Sequence, residues 1–338
     1  MRRRARRWPW IALAVLLVVV AAAAAGWLQF ERAMQRPGAA DTPTRLAVPA
    51  GSSLRGVLRR LEGAGLAPWS PAVEAWLRVH RTPVRLAVGT YEFPAHASPA
   101  DVLAQLASGR TVLEQVTIVE GWTFAEMRRA LDAHPALAHE WSRLAAAEVM
   151  ARLGAAGVSA EGRFFPDTYR FAAGTSDRRV YDLAHARMAE ELAAAWAGRA
   201  PGLPVANADE ALVLASIIEK ETGRADERGK VAAVFVNRLR KGMRLQSDPT
   251  VIYGLGETFD GNLRKGDLQT DTPYNTYTRS GLPPSPIAMP GLAALQAALH
   301  PAASDVLYFV ARGDGSSQFS RTLDEHNKAV SKYQRGGK

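Results

Sequence analysis

The chain has 338 residues, of which 47% are hydrophobic and 22% are charged, so it is a folded protein, and its lack of cysteine excludes disulfides, thiolate nucleophiles and cysteine-ligated zinc. Its formal net charge is +9, but five arginines lie among the first seven residues, and the remainder carries only +9 − 5 = +4. Such a mild excess, with no RNA- or DNA-binding motif, excludes nucleic acid as a partner and suits a protein that works near anionic surfaces.

Residues 8–30 are predicted to form a single transmembrane helix. This segment contains no charged residue, and about 23 helical residues at roughly 1.5 Å each can cross a hydrocarbon core of about 30 Å. The basic tail, residues 1–7, is expected to stay in the cytoplasm, which places everything after the helix outside. A cleaved signal peptide is the alternative, because residues 21–25 offer small side chains to a peptidase, and it too exports the rest of the chain.

A linker, residues 31–44, and a small α/β module, residues 45–118, are predicted to follow. Two helices between two strands resemble a LysM module, a fold that binds glycans. The alternative is an ordinary α+β packing domain without glycan contact. Strands are expected at 45–48, 86–93 and 112–119, and helices are expected to begin after the capping residues Ser52 or Ser53, Ser70 and Ser98.

Residues 119–335 are predicted to form a larger, mainly helical catalytic domain with long loops, which makes the fold class α+β. Capping boxes at 123–126 and 207–210 begin two of its helices. A long helix is expected at 178–197. Residues 161–171 (EGRFFPDTYRF) form a turn-rich aromatic segment without helical periodicity.

The helix predicted from Asp209 to Thr222 carries the main candidate for chemistry. Positions 211–218 include only Ser216 as a polar residue, so this helix is expected to lie inside the domain. Glu219 follows on the same helical stripe as Ser216, and Gly223 is expected to end the helix. Partial desolvation and the negative end of the helix dipole should both raise the pKa of Glu219, as an acid catalyst requires.

The alternative for this Glu-Lys-Glu sequence is a solvated helix end, and we expect Glu221 to belong to such a surface. The seven histidines show no metal-binding spacing, and there is neither a G-x-S-x-G motif nor a complete P-loop. The sequence therefore favours an enzyme without a metal or other cofactor.

Three polar or proline-rich loops follow the candidate glutamate, at 243–253, 270–279 and 281–291. Tyrosine rings can stack on sugar faces, amide side chains can recognise N-acetyl and hydroxyl groups, and prolines keep such loops preorganised. Together with one embedded glutamate, the loops predict a groove for a polar polymer. The alternative for each loop alone is a plain connection.

Six motifs, in the same order along the chain, closely resemble the endolytic murein transglycosylases of the MltG/YceG-like family. They are 214–222 (LASIIEKET), 234–240 (VFVNRLR), 243–253 (MRLQSDPTVIY), 274–277 (YNTY), 281–291 (GLPPSPIAMPG) and 307–310 (LYFV). By this resemblance, Glu219 is the catalytic residue. The residues expected to bind substrate in the cleft are Gln246, Asp248, Tyr274, Asn275 and Tyr277.

The resemblance implies a cofactor-free lyase that cleaves the MurNAc-β-1,4-GlcNAc bond of nascent peptidoglycan strands, leaves 1,6-anhydroMurNAc ends and terminates glycan polymerisation near the membrane. Glu219 would protonate the leaving oxygen and then accept the proton of the muramoyl 6-hydroxyl. The resemblance also implies a bacterial inner-membrane location and penicillin-binding cell-wall synthases as partners. The alternative from another class is a non-catalytic peptidoglycan-binding scaffold coupled to those synthases.

Overall fold

The computed structural model describes residues 8–49, 51–82, 84 and 86–335, so the predicted cytoplasmic tail lies outside the described residues. Helices and strands are mixed along the chain, which confirms the predicted α+β class. The chain packs as two compact units. The first holds the described residues up to Glu114 together with Phe171–Thr175, and the second holds Gln115–Arg170 and the described residues from Ser176 onward.

The N-terminal helix α1 (Trp8–Gln35) is long and apolar enough to cross a membrane, judged by its length and composition. It continues past Phe30 into the segment predicted to be a linker. Trp27, Phe30 and Met34 follow one another at helical spacing, and all three pack against the core of the first unit, where Met34 is fully buried. This packing explains why the helix extends beyond the apolar run.

The first unit contains a two-stranded antiparallel sheet and three short helices besides α1. Ser53 and Ser98 cap their helices as predicted. The second strand begins at Gly89, later than predicted, because the Tyr91 hydroxyl bonds to the backbone of Ala87 and holds the preceding residues in a turn. The elements are β1 (Thr44–Val48), α2 (Leu54–Gly63), α3 (Ser70–Val79), β2 (Gly89–Phe93) and α4 (Pro99–Ser108), with β1 paired to β2.

The remaining chain is mainly helical, with pairs of short strands β3–β5, β4–β6 and β7–β8. The segment 161–171, for which only turns were predicted, ends in one of these strands. The elements are β3 (Leu113–Thr117), α5 (Phe124–Asp132), β4 (Leu137–Ala138), α6 (Ala146–Arg152), β5 (Thr168–Ala172), β6 (Thr175–Ser176), α7 (Asp177–Ala197), α8 (Ala208–Glu221), α9 (Ala225–Arg240), α10 (Asp248–Leu255), α11 (Lys265–Gln269), α12 (Leu292–Leu299), β7 (Tyr308–Ala311), β8 (Ser317–Ser320) and α13 (Leu323–Val330), followed by a π-helical turn (Ser331–Arg335).

Helix α8 is the central helix of the second unit and packs against α7, α9, α10 and α12. Residues 211–218 are all buried, as the apolar run predicts. Asn207 caps the helix by accepting the backbone N–H of Glu210, and the helix ends at Glu221, with Thr222 and not Gly223 as its C-cap. The last turn of α8, directly after the buried run, therefore carries two carboxyls, those of Glu219 and Glu221.

Candidate active site

Glu219 is half-buried at the point where the apolar face of α8 reaches the surface. Its Oε2 accepts a hydrogen bond of 2.9 Å from the backbone N–H of Gly291. Gly291 is the N-cap of α12, and a Cβ atom there would overlap the carboxyl of Glu120. The glycine therefore allows two acidic side chains to approach the same backbone position.

The pKa of Glu219 is raised from its ordinary value, chiefly because burial disfavours the charged form. The hydrogen bond from Gly291 acts in the opposite direction, and the negative charge of Glu120 adds to the increase. The positive charges of Arg228 and Lys220 lower the pKa, but their effects are smaller. The net direction agrees with the sequence-based expectation and favours the protonated carboxyl more than in an ordinary glutamate, as an acid catalyst requires.

Two loop segments that contact Glu219 or its helix are tied together. The Gly121 N–H donates to the Met289 carbonyl at 2.9 Å, and the Met289 N–H donates to the Trp122 carbonyl at 2.7 Å. The Ser216 hydroxyl, one turn before Glu219, accepts the Ile287 N–H at 3.0 Å. The loop at 281–291 is thus anchored both to the start of the second unit and to α8.

Glu221 does not lie on a solvated surface, so that prediction is wrong. Its side chain accepts a hydrogen bond of 2.5 Å from the Ser247 hydroxyl, at the beginning of α10. Burial, together with the negative charge of Asp248, raises the pKa of Glu221 to about 7, although the Ser247 bond lowers it. Packing of the 245–248 segment against the end of α8 leaves Glu221 only partly exposed.

A cavity of about 510 Å³ adjoins Glu221, and three of the predicted substrate-binding residues, Gln246, Asp248 and Tyr277, line it. The Tyr277 hydroxyl donates to Asp248 Oδ1 at 2.6 Å. Gln246 adopts a positive φ of 50°, and its N–H donates to the Thr276 carbonyl at 3.1 Å. The structure therefore brings these three residues together with Glu221, whereas Glu219 contacts a different set.

Asn275 is fully buried, which differs from its expected place in the cleft. Its side-chain N–H₂ donates to the carbonyls of Asp267, Leu268 and Thr270, and its Oδ1 accepts the Tyr277 N–H at 2.8 Å. These bonds occupy the amide on both sides. Asn275 thus shapes the loop that presents Tyr277.

Tyr274, the remaining predicted substrate-binding residue, is half-buried. Its hydroxyl forms a hydrogen bond of 2.7 Å with the Ser285 hydroxyl. Its ring packs edge-on against Tyr253, with centroids 4.8 Å apart. Tyr274 therefore links α10 to the loop at 281–291.

Arg238 lines the same cavity and was not singled out from the sequence. Its Nε donates to the Leu307 carbonyl and its Nη1 to the Leu245 carbonyl, both at 2.7 Å, and its guanidinium lies 5.1 Å from the Tyr308 ring centroid. Burial lowers its pKa. The sequence contains a signal by which Arg238 could have been found. This arginine lies within the apolar run of α9, and a buried cation requires dedicated partners.

Asp132, His139 and Asp177 bring possible metal-ligand atoms within 4.8 Å of one another. The Asp177 carboxylate, however, already accepts the backbone N–H groups of Glu140 and Trp141 at 3.1 Å. These bonds give Asp177 a role in holding the chain before α7, so the grouping is explained by local structure.

A model of the YceG-like family matches residues 46–332 of the chain. An endolytic murein transglycosylase of Bacillus subtilis (strain 168) is 52% identical over 122 residues, which are 36% of this chain and 34% of that protein. Another, from Streptococcus pneumoniae serotype 2 (strain D39), is 27% identical over 322 residues, which are 85% of this chain and 58% of that protein. The chain thus spans only about a third to three fifths of the length of these curated relatives.

A crystal structure of a yceG-like protein from Listeria monocytogenes is similar to this chain over almost its whole length. The TM-score is 0.53 at 28% sequence identity, and the match covers 85% of this chain and 98% of that one. The similarity therefore extends to the arrangement of the elements and is not confined to short motifs.

Proposed function

The chain belongs to the YceG-like family, and we propose that it is a membrane-anchored endolytic transglycosylase that cleaves peptidoglycan glycan strands. The observation that carries the proposal is the setting of Glu219. Its carboxyl is held by one backbone N–H at the edge of a buried helix, and burial raises its pKa. The relatives named endolytic murein transglycosylases support the choice of murein as the substrate.

In the proposed reaction, Glu219 acts twice. Because Oε2 accepts the Gly291 N–H, Oε1 is the oxygen that carries the catalytic proton. Glu219 gives this proton to the glycosidic oxygen as the bond to muramoyl C1 breaks, leaving a GlcNAc hydroxyl. The 6-hydroxyl of the same muramoyl residue then attacks C1 and returns its proton to Glu219. The product end is a 1,6-anhydromuramoyl residue, and no water is consumed.

This route needs one proton shuttle, because the nucleophile belongs to the substrate. Ordinary glycosidases instead pair the acid with a second carboxylate at a set distance, as nucleophile or as base for water. The other carboxyl of the last turn, Glu221, has different partners from Glu219. Its position supports a role in binding and not in attack.

We propose that the cavity beside Glu221 is a sugar subsite of the glycan cleft. Side chains with several hydrogen-bonding atoms, Gln246, Asp248 and Arg238, line it together with the aromatic ring of Tyr308. Polar groups of this kind suit hydroxyl and N-acetyl substituents, and an aromatic wall suits the apolar face of a sugar ring.

We also propose that the reaction takes place close to the membrane. Helix α1 would anchor the chain in the bacterial inner membrane with the basic tail in the cytoplasm, so that the enzyme acts as a terminase on newly made strands beside penicillin-binding synthases. The strand–helix–helix–strand order β1–α2–α3–β2 of the first unit supports a LysM-like glycan-binding module.

The decisive experiment incubates the full chain, in detergent micelles, with purified glycan strands and analyses the products by mass. Anhydro ends are expected. Ends that have gained water would identify a muramidase. Strands that are retained on the protein but never cut would identify the scaffold alternative.

A further inference from the structure

Glu161 is a buried carboxyl, only 6% exposed, that stands at the start of the aromatic segment 161–171. Its Oε1 accepts the backbone N–H of Phe124, the first residue of α5, at 2.9 Å. Its Oε2 accepts the hydroxyl of Tyr253, near the end of α10, at 3.1 Å. One carboxyl thus joins two segments that are far apart in the sequence.

Both segments lead to the surroundings of Glu219. Phe124 directly follows the turn at 119–123, which contains the Glu120 carboxyl and the two backbone bonds to Met289. Tyr253 packs against Tyr274, which is hydrogen-bonded to Ser285 within the loop that ends at Gly291.

The residue after Glu161 makes a third connection. Gly162 has a φ of +76°, and a Cβ atom there would lie 2.5 Å from Cβ of Pro286. The backbone beside Glu161 therefore packs directly on the loop whose Gly291 N–H holds Glu219. Glu161 and Gly162 thus contact both loop segments, 119–124 and 281–291, that lie next to the proposed acid.

We propose that Glu161 is a positioning residue for Glu219, which in its ionised form draws the 119–124 turn and Tyr253 together and so fixes the 281–291 loop. The inference rests on the proposed transglycosylase function. The ionised carboxylate accepts both hydrogen bonds at once. A proton on Oε2 would compete with the Tyr253 hydroxyl and force that bond to reverse or break.

Glu161 titrates close to neutral pH, where activity can be measured on both sides of its pKa. Burial raises its pKa to about 7, against the hydrogen bonds from Phe124 and Tyr253, and the nearby charge of Glu126 raises it slightly more. Activity then requires Glu161 ionised and Glu219 protonated, so the pH–rate profile should be bell-shaped. Protonation of Glu161 lowers the rate on the acid limb, and ionisation of Glu219 lowers it on the alkaline limb.

The test compares Glu161→Gln with wild type, as full chains in detergent micelles, between about pH 5 and about pH 9. Glutamine resembles the protonated side chain, so kcat should fall about tenfold with little change in KM, and the acid limb should disappear. Glu126→Gln is the matched control. It removes a neighbouring carboxylate that caps α5 without touching Tyr253, and the acid limb should remain.

A second readout is independent of activity. With ¹⁵N-labelled phenylalanine, the Phe124 amide shift should titrate near pH 7 in wild type and should not in Glu161→Gln. Tyr253→Phe removes the hydroxyl that donates to Oε2 and lowers the pKa of Glu161. This variant should lower kcat and move the acid limb to higher pH, which keeps the proposal testable if Glu161→Gln does not fold. An acid limb that persists in Glu161→Gln, or that stays at its wild-type pH in Tyr253→Phe, overturns the inference. A wild type that makes no anhydro ends overturns the proposed function instead, whatever the amide shift does.

Discussion

Glu219 and Glu221 lie two positions apart in the last turn of α8, yet different parts of the chain hold their carboxyls. Glu219 accepts the Gly291 N–H, and Glu221 accepts the Ser247 hydroxyl. Two positions on an α-helix are separated by roughly 200°, so the side chains point to different neighbours. The same short motif thus supplies a proposed proton shuttle on one side and a cavity residue on the other.

Glu219→Gln should reduce the formation of anhydro ends by about 10²- to 10⁴-fold, because the amide cannot donate a proton to the leaving oxygen. Its carbonyl can still accept the Gly291 N–H, so the thermal unfolding midpoint should not fall. Mass analysis of glycan products and a melting curve measure both effects. Glu190→Gln, which changes an exposed glutamate of α7, is the control. Undiminished cleavage by Glu219→Gln would remove this residue from the reaction.

Removal of a negative or a positive charge near Glu219 should shift the alkaline limb of the pH–rate profile in opposite directions. Glu120→Gln removes a negative charge that raises the pKa of Glu219, so the rate should decline at lower pH than in wild type. Arg228→Met removes a positive charge that lowers this pKa, so the decline should move to higher pH. Rate profiles of the two variants measure the shifts, and displacement in the same direction would contradict the assignment of the limb to Glu219.

Tyr277→Phe should raise KM about three- to tenfold and change kcat little, because the Asp248 carboxylate loses its 2.6 Å hydrogen bond and its orientation at the cavity. Steady-state kinetics on glycan strands of one length measure this split. Tyr181→Phe is the matched control, since the structure shows no hydrogen-bond partner for that buried hydroxyl among the described residues. A fall in kcat alone would argue against the cavity as a binding site.

Asn275→Ala should lower the free energy of unfolding by about 3 kcal/mol, because it leaves several buried carbonyls and one N–H without their partner. Asn275→Asp keeps the acceptor for Tyr277 but not the donors, and should be similarly unstable. Denaturant unfolding of full chains measures the loss. Full stability with a raised KM would instead restore Asn275 to the substrate-binding role that the sequence suggested.

Glu161 should make the wild type lose stability as the pH rises. A carboxyl ionises near 4.5 in an unfolded chain, whereas the pKa of Glu161 is about 7 in the folded one, so folding favours the protonated form. Its stabilising contribution is present below the unfolded pKa and is lost as the pH rises to the folded pKa. Relative to Glu161→Gln, the loss between about pH 5 and about pH 8 should be about 2–3 kcal/mol. Melting curves at both pH values measure this loss. A stability difference between the two proteins that is the same at both pH values would contradict the prediction.

The features that depend on neighbouring residues could be predicted from the sequence. An uncharged run predicted α1, and the cap at Asn207 followed by an apolar run predicted the buried helix α8 with Glu219 at its edge. Such features follow from helical periodicity and capping, which short windows of sequence contain. The raised pKa of Glu219 follows for the same reason, because burial is its largest cause.

Which side chains face the site depends on the tertiary fold and could not be predicted from the sequence. Glu221 became a cavity residue, Asn275 became a buried loop anchor, and Glu161 emerged from a segment predicted as turns. The partners responsible are distant in the chain: Gly291 is 72 positions from Glu219, and Tyr253 is 92 positions from Glu161. No local pattern encodes such hydrogen bonds, because they form only when packing of the helices brings the loops between them together.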